Sequence, residues 1–234
     1  MMIIIIIDDL HHRFRMLSMP YDDMYPQKGC RSWESPLRIT ESQAEKNRQK
    51  VVVRASKLFR ETGFDGISVS DLMKSAGFTH GGFYNHFESK SALASEALDH
   101  AFRQMDGVRQ QMHGLDEFVT SYLSEEARKA PGSSCPAAAL AGDVARQPDG
   151  IKAVFAEGVE RMILSIMEQL PETPAARAKA IDLVCRMVGA LALARAMPSP
   201  SSLGRELLAT ATERCRKDVT PSVRSHQRAR NSKV

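Results

Sequence analysis

The chain has 234 residues, 43% hydrophobic but only 6% aromatic, which is enough for one large domain or two small ones with a real core. Its four cysteines, Cys30, Cys135, Cys185 and Cys215, show no CxxC spacing, which excludes a disulfide-stapled secreted domain and points to a reducing cytoplasm. A net charge of +4 does not by itself identify a nucleic-acid partner, but Arg38, Lys46, Arg48, Lys50, Arg54, Lys57 and Arg60 stand against only Glu41 and Glu45, a run that is otherwise just a solvated face.

Residues 1–40 show no sustained period and carry Pro20, Pro26, Gly29 and Pro36, so they read as a flexible extension, with Met16, Met19 and Met24 as alternative initiators. The apolar start, Met1 to Ile7, is short, lacks a basic flank and runs straight into Asp8 and Asp9. It reads as neither a signal peptide nor a membrane span. The first helix is expected over about residues 42–62, with Val52, Ala55 and Phe59 on one face and Gly63 as its stop. Ser68-Val69-Ser70-Asp71 is a capping-box-like start for a second helix, which buries Val69, Leu72 and Met73 and ends near Ala76. Gly77 suits a left-handed turn. Thr79 is placed as N-cap of a short third helix ending near His86. Ser89 caps a fourth, over about residues 90–112, whose stripe from Leu93 to Met112 is long enough to join two domains.

Helical stripes separated by breakers fill the rest. They fall near residues 116–123, then, after a loop at Pro131-Gly132-Ser133-Ser134, near 135–147, 151–170, 175–197 and 202–217. Thr173-Pro174 is expected to open the penultimate one, with Thr as cap and Pro in the first turn. No strand pattern or fixed repeat is visible. The fold class is therefore all-α.

The second helix, Gly77 and the third helix have helix-turn-helix proportions. The second helix of that motif enters the DNA major groove, where base edges carry distinct donor and acceptor patterns. Thr79, His80, Tyr84, Asn85 and His86 offer matching groups, and Gly81 and Gly82 keep the helix slim. Each glycine costs about 1 kcal/mol of helix stability relative to Ala, which a close-contact role explains. Phe83 and Phe87 are expected to face inward. Lys90 and the amides near Ser68 and Ser70 suit phosphates.

The run Val51 to Phe64, Ile67-Ser68-Val69-Ser70-Asp71-Leu72, and Ala76-Gly77-Phe78-Thr79-His80-Gly81-Gly82-Phe83-Tyr84-Asn85-His86-Phe87 with Ser89-Lys90 resembles the DNA-binding domain of tetracycline-repressor (TetR) family regulators. The resemblance covers about residues 44–98. It places DNA contacts on Thr79, His80, Gly81, Tyr84, Asn85, His86 and Lys90. Where this chain has Asn85 the family often has Tyr, so Asn85 reads a base instead, adenine being the usual partner of an Asn amide.

The resemblance further implies a three-helix DNA-binding domain over residues 41–90, joined by a long helix to a helical effector-binding and dimerisation domain over 91–217, with a basic tail over 218–234. It implies a homodimer through the last two long helices, a palindromic double-stranded DNA operator, a small-molecule effector that releases it, and no cofactor, metal, membrane or enzymatic activity. The effector pocket is expected to be lined by Met105, Met112, Phe118, Tyr122, Cys135, Phe155, Met162 and Met187, or else these are ordinary core. Cys135 opens a predicted helix, whose positive end favours a thiolate, so it is either a redox or electrophile sensor or a structural cysteine. Two other functions stay open: a thiol enzyme using Cys135, which lacks a His or acidic partner at a telling spacing, and a packaging protein that binds DNA without sequence preference.

Overall fold

The computed structural model describes residues 41–219; the expected extension over 1–40, with Cys30 and Arg38, and the basic tail beyond 219 lie outside the described residues. Among the described residues the chain forms nine α-helices and two 3₁₀ segments.

Helix α1 (Glu41–Thr62) buries Val51, Val52, Ala55 and Phe59 on one face. Gly63 ends it at a φ of +78°, its amide donating to the Phe59 carbonyl at 2.8 Å. Helix α2 (Val69–Ser75) is capped as expected: the Ser68 hydroxyl oxygen accepts from the Asp71 amide at 3.1 Å. It buries Leu72 and Met73, while Val69 is only half-buried. Gly77 turns the chain at a φ of +85°.

The expected third helix is a six-residue 3₁₀ segment, His80–Asn85, and not an α-helix. Two glycines in so short a stretch cannot sustain α-helical propagation, and the tighter winding wins. Thr79 holds the N-cap position, but its side chain makes no capping hydrogen bond.

Helix α3 (Lys90–Gln110) is capped by Ser89, which accepts from the Ala92 amide at 3.0 Å. It packs against α1 on one side and α7 (Asp149–Met167) on another. Around it lie α4 (Leu115–Tyr122), α5 (Glu125–Lys129), a 3₁₀ turn at Pro131–Ser133 and α6 (Pro136–Val144). Helices α8 (Ala176–Ala196) and α9 (Ser202–Val219) pack on each other. Helix α8 starts later than Thr173-Pro174 implied. Thr173 is not its cap but closes a turn, its carbonyl accepting from the Ala176 amide at 2.9 Å.

One continuous core runs from Val51 in α1 to Cys215 in α9, so the helix-turn-helix segment and the later helices share buried contacts. Helices α3 and α7 approach closely where Gly158 meets the Phe102 ring. They are also bridged by Arg161, which donates to Asp99 and Asp106, each at 3.1 Å. Arg128 is buried at the end of α8, donating to the Ala194 carbonyl at 2.8 Å and the Pro198 carbonyl at 3.2 Å. It thereby satisfies acceptors that a helix end leaves free. No helix among the described residues is long and apolar enough to cross a membrane.

Candidate nucleic-acid interface and ligand cavity

The 3₁₀ segment is held from beneath and open above. Phe83 is 1% exposed and Phe87 is buried, their ring centroids 5.5 Å apart. Tyr84 sets its ring edge against Phe83 at 5.2 Å yet stays 67% exposed. Thr79, His80, Gly81 and Asn85 are exposed, and His86 is half-buried. A Cβ built on Gly81 meets nothing within 4 Å, so no internal contact demands a glycine there. Ser68 and Ser70 are exposed at the start of α2, and Lys90 is half-buried at the start of α3. The described surface therefore presents the polar groups of Thr79, His80, Tyr84 and Asn85 outward while the two phenylalanines seat the segment.

Arg48 is a residue that sequence reasoning left in the general basic run. Its guanidinium lies over the Phe87 ring at 5.0 Å, donates to the His86 carbonyl at 3.4 Å and pairs with Glu96 of α3. It thus fixes the end of the 3₁₀ segment to α1 and α3 at once. Position and charge alone carried no signal of this, because nothing in a linear pattern pairs residue 48 with residue 86. Along α1, Lys46, Lys50, Arg54 and Lys57 line an open basic groove of about 800 Å³, which Ser75, His100 and Ser133 also border. Burial, then the charge of Arg60, holds the His100 imidazole below its ordinary pKa.

A second cavity, of about 240 Å³, opens between α3, α4, α5 and the Pro131–Ser133 turn. Met105, Met112, Phe118, Tyr122 and Cys135 line it, together with residues not foreseen, among them Ala127, Ser133 and Ser134. Phe155, Met162 and Met187 are not among its walls. Phe155 packs edge-on against Phe102 at 5.7 Å, and Met162 and Met187 are buried in the core. Cys135 is 3% exposed at the N-cap of α6.

Two guanidinium groups stand behind this cavity. Arg60, from α1, donates to the Ser134 carbonyl at 2.8 Å, to the Ser56 carbonyl at 3.0 Å and to Gln104 at 3.1 Å. Burial brings its pKa down to about 10, with Cys135 and Glu61 opposing that shift. Arg195, from α8, donates to the Ala127 carbonyl at 2.8 Å and to the Ser134 hydroxyl. Gly132 presses the turn onto α1 so closely that a Cβ there would stand 2.4 Å from Glu61 Oε1 and 2.7 Å from Lys57 Cγ. Ser133 borders both the cavity and the basic groove. The Pro131–Ser133 turn is therefore a wall shared by the two concave regions.

On α8 and α9, a shallow groove of about 450 Å³ is lined by small and apolar residues, among them Gly189, Ala190, Leu193, Leu203 and Leu207, together with the charged Arg186, Glu206 and Arg214. Leu193 is 53% exposed and Leu203 49%.

Residues 51–97 match the family described as bacterial regulatory proteins, tetR family. The chain is 37% identical over 76 residues to the HTH-type transcriptional regulator YvdT of Bacillus subtilis, a match that spans 31% of this chain and only 38% of that relative. It is 26% identical over 197 residues to the HTH-type transcriptional regulator Rv0196 of Mycobacterium tuberculosis, spanning 79% of this chain and 92% of that one. Among solved structures, the reduced form of Escherichia coli NemR superposes with a TM-score of 0.62 at 20% identity, over 76% of this chain and all of that one. At that identity the likeness is one of fold.

Proposed function

We propose, from the match of residues 51–97 to the tetR family of bacterial regulatory proteins, that this chain is a homodimeric repressor, released from a palindromic operator when a small molecule fills the cavity beside Cys135. The observation that carries the DNA half of this reading is the His80–Asn85 segment, with Phe83 buried, Tyr84 67% exposed and open space at Gly81. Major-groove recognition needs a slim, polar element whose inner face is fixed. Thr79, His80, Tyr84, Asn85 and His86 address the groove in this reading, while Ser68, Ser70 and Lys90 hold phosphates.

The route from ligand to DNA is short. The cavity wall at Ser134 is tied by Arg60 to α1, and Gly132 rests on the same helix. Helix α1 also carries Arg48, which holds His86. A ligand that displaces the wall moves α1, and with it the angle at which two recognition segments meet successive major grooves, about 34–36 Å apart. A coupling of about 1–3 kcal/mol, or roughly 5–150-fold in affinity, is what such switches typically supply.

The test begins with selection of binding sites from a random DNA pool. Tyr84→Ala and Asn85→Ala should each weaken the selected site by about tenfold or more, in line with about 1–3 kcal/mol per specific contact. Both side chains are exposed, so the melting temperature should hardly move. Undiminished affinity in both variants would remove the segment from the interface. Selection that returns no sequence, with steep salt dependence, would favour the packaging reading instead.

A further inference from the structure

The 240 Å³ cavity has an unusual polar balance. Most of its wall is apolar, from Met105, Val108, Met112 and Phe118. At one side stands Tyr122, only 5% exposed, whose hydroxyl meets no oxygen or nitrogen partner and has only the weakly hydrogen-bonding thiol of Cys135 beside it. Behind the Ala127 and Ser134 wall, Nε and Nη1 of Arg195 are also buried without a partner. Among the described residues, neither Arg195 nor Arg60 has a carboxylate within ion-pairing distance, and Glu61 acts on Arg60 only from farther away. The one carboxylate lining the cavity, Glu126, is exposed.

Buried donors without acceptors are rare in folded proteins, because an unmade bond in a dry site forfeits solvation and gains nothing back. Arg offers donors only, and the Tyr hydroxyl can supply a donor too. Two guanidinium charges without a carboxylate create a positive field that the apolar wall does not screen. Burial, then the nearby Cys135, pushes the Tyr122 hydroxyl well above its ordinary pKa, so it remains a proton donor at neutral pH.

We infer that this cavity takes a small ligand with an apolar body and an anionic head, a carboxylate being the simplest, whose oxygen accepts from the Tyr122 hydroxyl within the field of Arg195 and Arg60. The inference rests on reading this cavity as the effector site and narrows the class of effector. The volume lies below the range of about 300–1,000 Å³ usual for drug-sized ligands, so the body is short.

The test uses the full chain and matched probe pairs, octanoate with 1-octanol and benzoate with benzyl alcohol, by isothermal titration calorimetry. In the unaltered protein at least one acid should bind tenfold or more tightly than its alcohol. Tyr122→Phe keeps the ring and removes only the hydroxyl; Arg195→Gln removes the charge. Each should weaken the acid at least tenfold and the alcohol, whose oxygen can accept from Tyr122 but carries no charge, by much less. If Arg195→Gln fails to fold, judged by circular dichroism, Tyr122→Phe carries the comparison alone. Equal binding of acid and alcohol, no binding by either acid, or acid binding indifferent to Tyr122→Phe overturns the inference. Operator release is measured separately on the selected DNA. An acid that binds through Tyr122 without releasing DNA upholds the inference and defeats the effector reading. Release by a neutral ligand alone does the reverse.

Discussion

At the scale of single residues, two glycines in long helices make opposite demands. Gly158 lies in α7, and a Cβ there would stand 2.2 Å from the Phe102 ring, against a rigid group that is itself buried in the core. Gly107 lies in α3 with nothing within 4 Å of the same imagined atom. Replacing a helical glycine by alanine otherwise stabilises by up to about 1 kcal/mol. Overpacking a well-filled core costs about 1–3 kcal/mol. The clash therefore outweighs the propensity gain at Gly158 and is missing at Gly107. Gly158→Ala should lower the stability by about 1–2 kcal/mol, and Gly107→Ala should raise it slightly, as measured by chemical denaturation with unchanged slope. If both changes stabilise, α3 and α7 have more slack between them than the Phe102 contact implies.

At the scale of elements, the Pro131–Ser133 turn is the part whose movement matters most. The atoms that a Cβ at Gly132 would meet belong to Glu61, whose carboxylate end can swing aside, and to Lys57, whose Cγ lies close to the backbone and has little room to move. Gly132→Ala should therefore lift the turn off α1, at a stability cost of about 1 kcal/mol. In the proposed mechanism this imitates the ligand. The variant should bind the selected operator several-fold more weakly in the absence of any effector, read by fluorescence anisotropy beside a melting curve. Unchanged affinity would show that α1 does not relay the position of the turn. Little of this element was legible beforehand. The caps at Ser68 and Ser89 and the stop at Gly63 announced α1, α2 and α3 because each is a local hydrogen-bond or dihedral requirement written in adjacent residues. Helix α5 has five residues, too few to display a period, and the sequence pattern places no element there. Met105, Met112, Phe118 and Tyr122 stood out as apolar positions, but so did Phe155, Met162 and Met187. Which apolar face encloses a void, and which is filled by a neighbour, depends on residues distant in the chain. Arg48 and Arg195 act on carbonyls tens of residues away, for the same reason beyond any local pattern.

At the scale of the whole molecule, the groove on α8 and α9 decides whether the chain can act on DNA as proposed. Helix α8 is apolar on more than the side that packs on the core: Leu183, Met187 and Leu191 are buried inward, while Ile181 and Leu193 are exposed. Leu203 of α9 is exposed on the same groove as Leu193, among Gly189 and Ala190, whose small side chains allow close helix approach. Exposed leucines grouped with small residues, and flanked by the charged Arg186, Glu206 and Arg214, suit an interaction site. In a twofold dimer the same patch meets itself, so each substitution is felt twice. Changing Leu193 and Leu203 together to Glu would set four carboxylates in the interface, more than Arg214 and its twofold copy can neutralise, and buried charge without a partner is strongly unfavourable. Sedimentation should then show the monomer mass at concentrations where the unaltered chain is a dimer. Leu164→Glu, which charges an exposed leucine of α7 outside this groove, should leave the mass unchanged. The recognition segment is untouched in both variants, so any loss of operator binding by the first must come from losing the second half-site. Its affinity for a full palindrome should fall to that for a single half-site, with the difference between the two sites abolished. A double variant that stays dimeric would move the dimer contact to another face of the molecule.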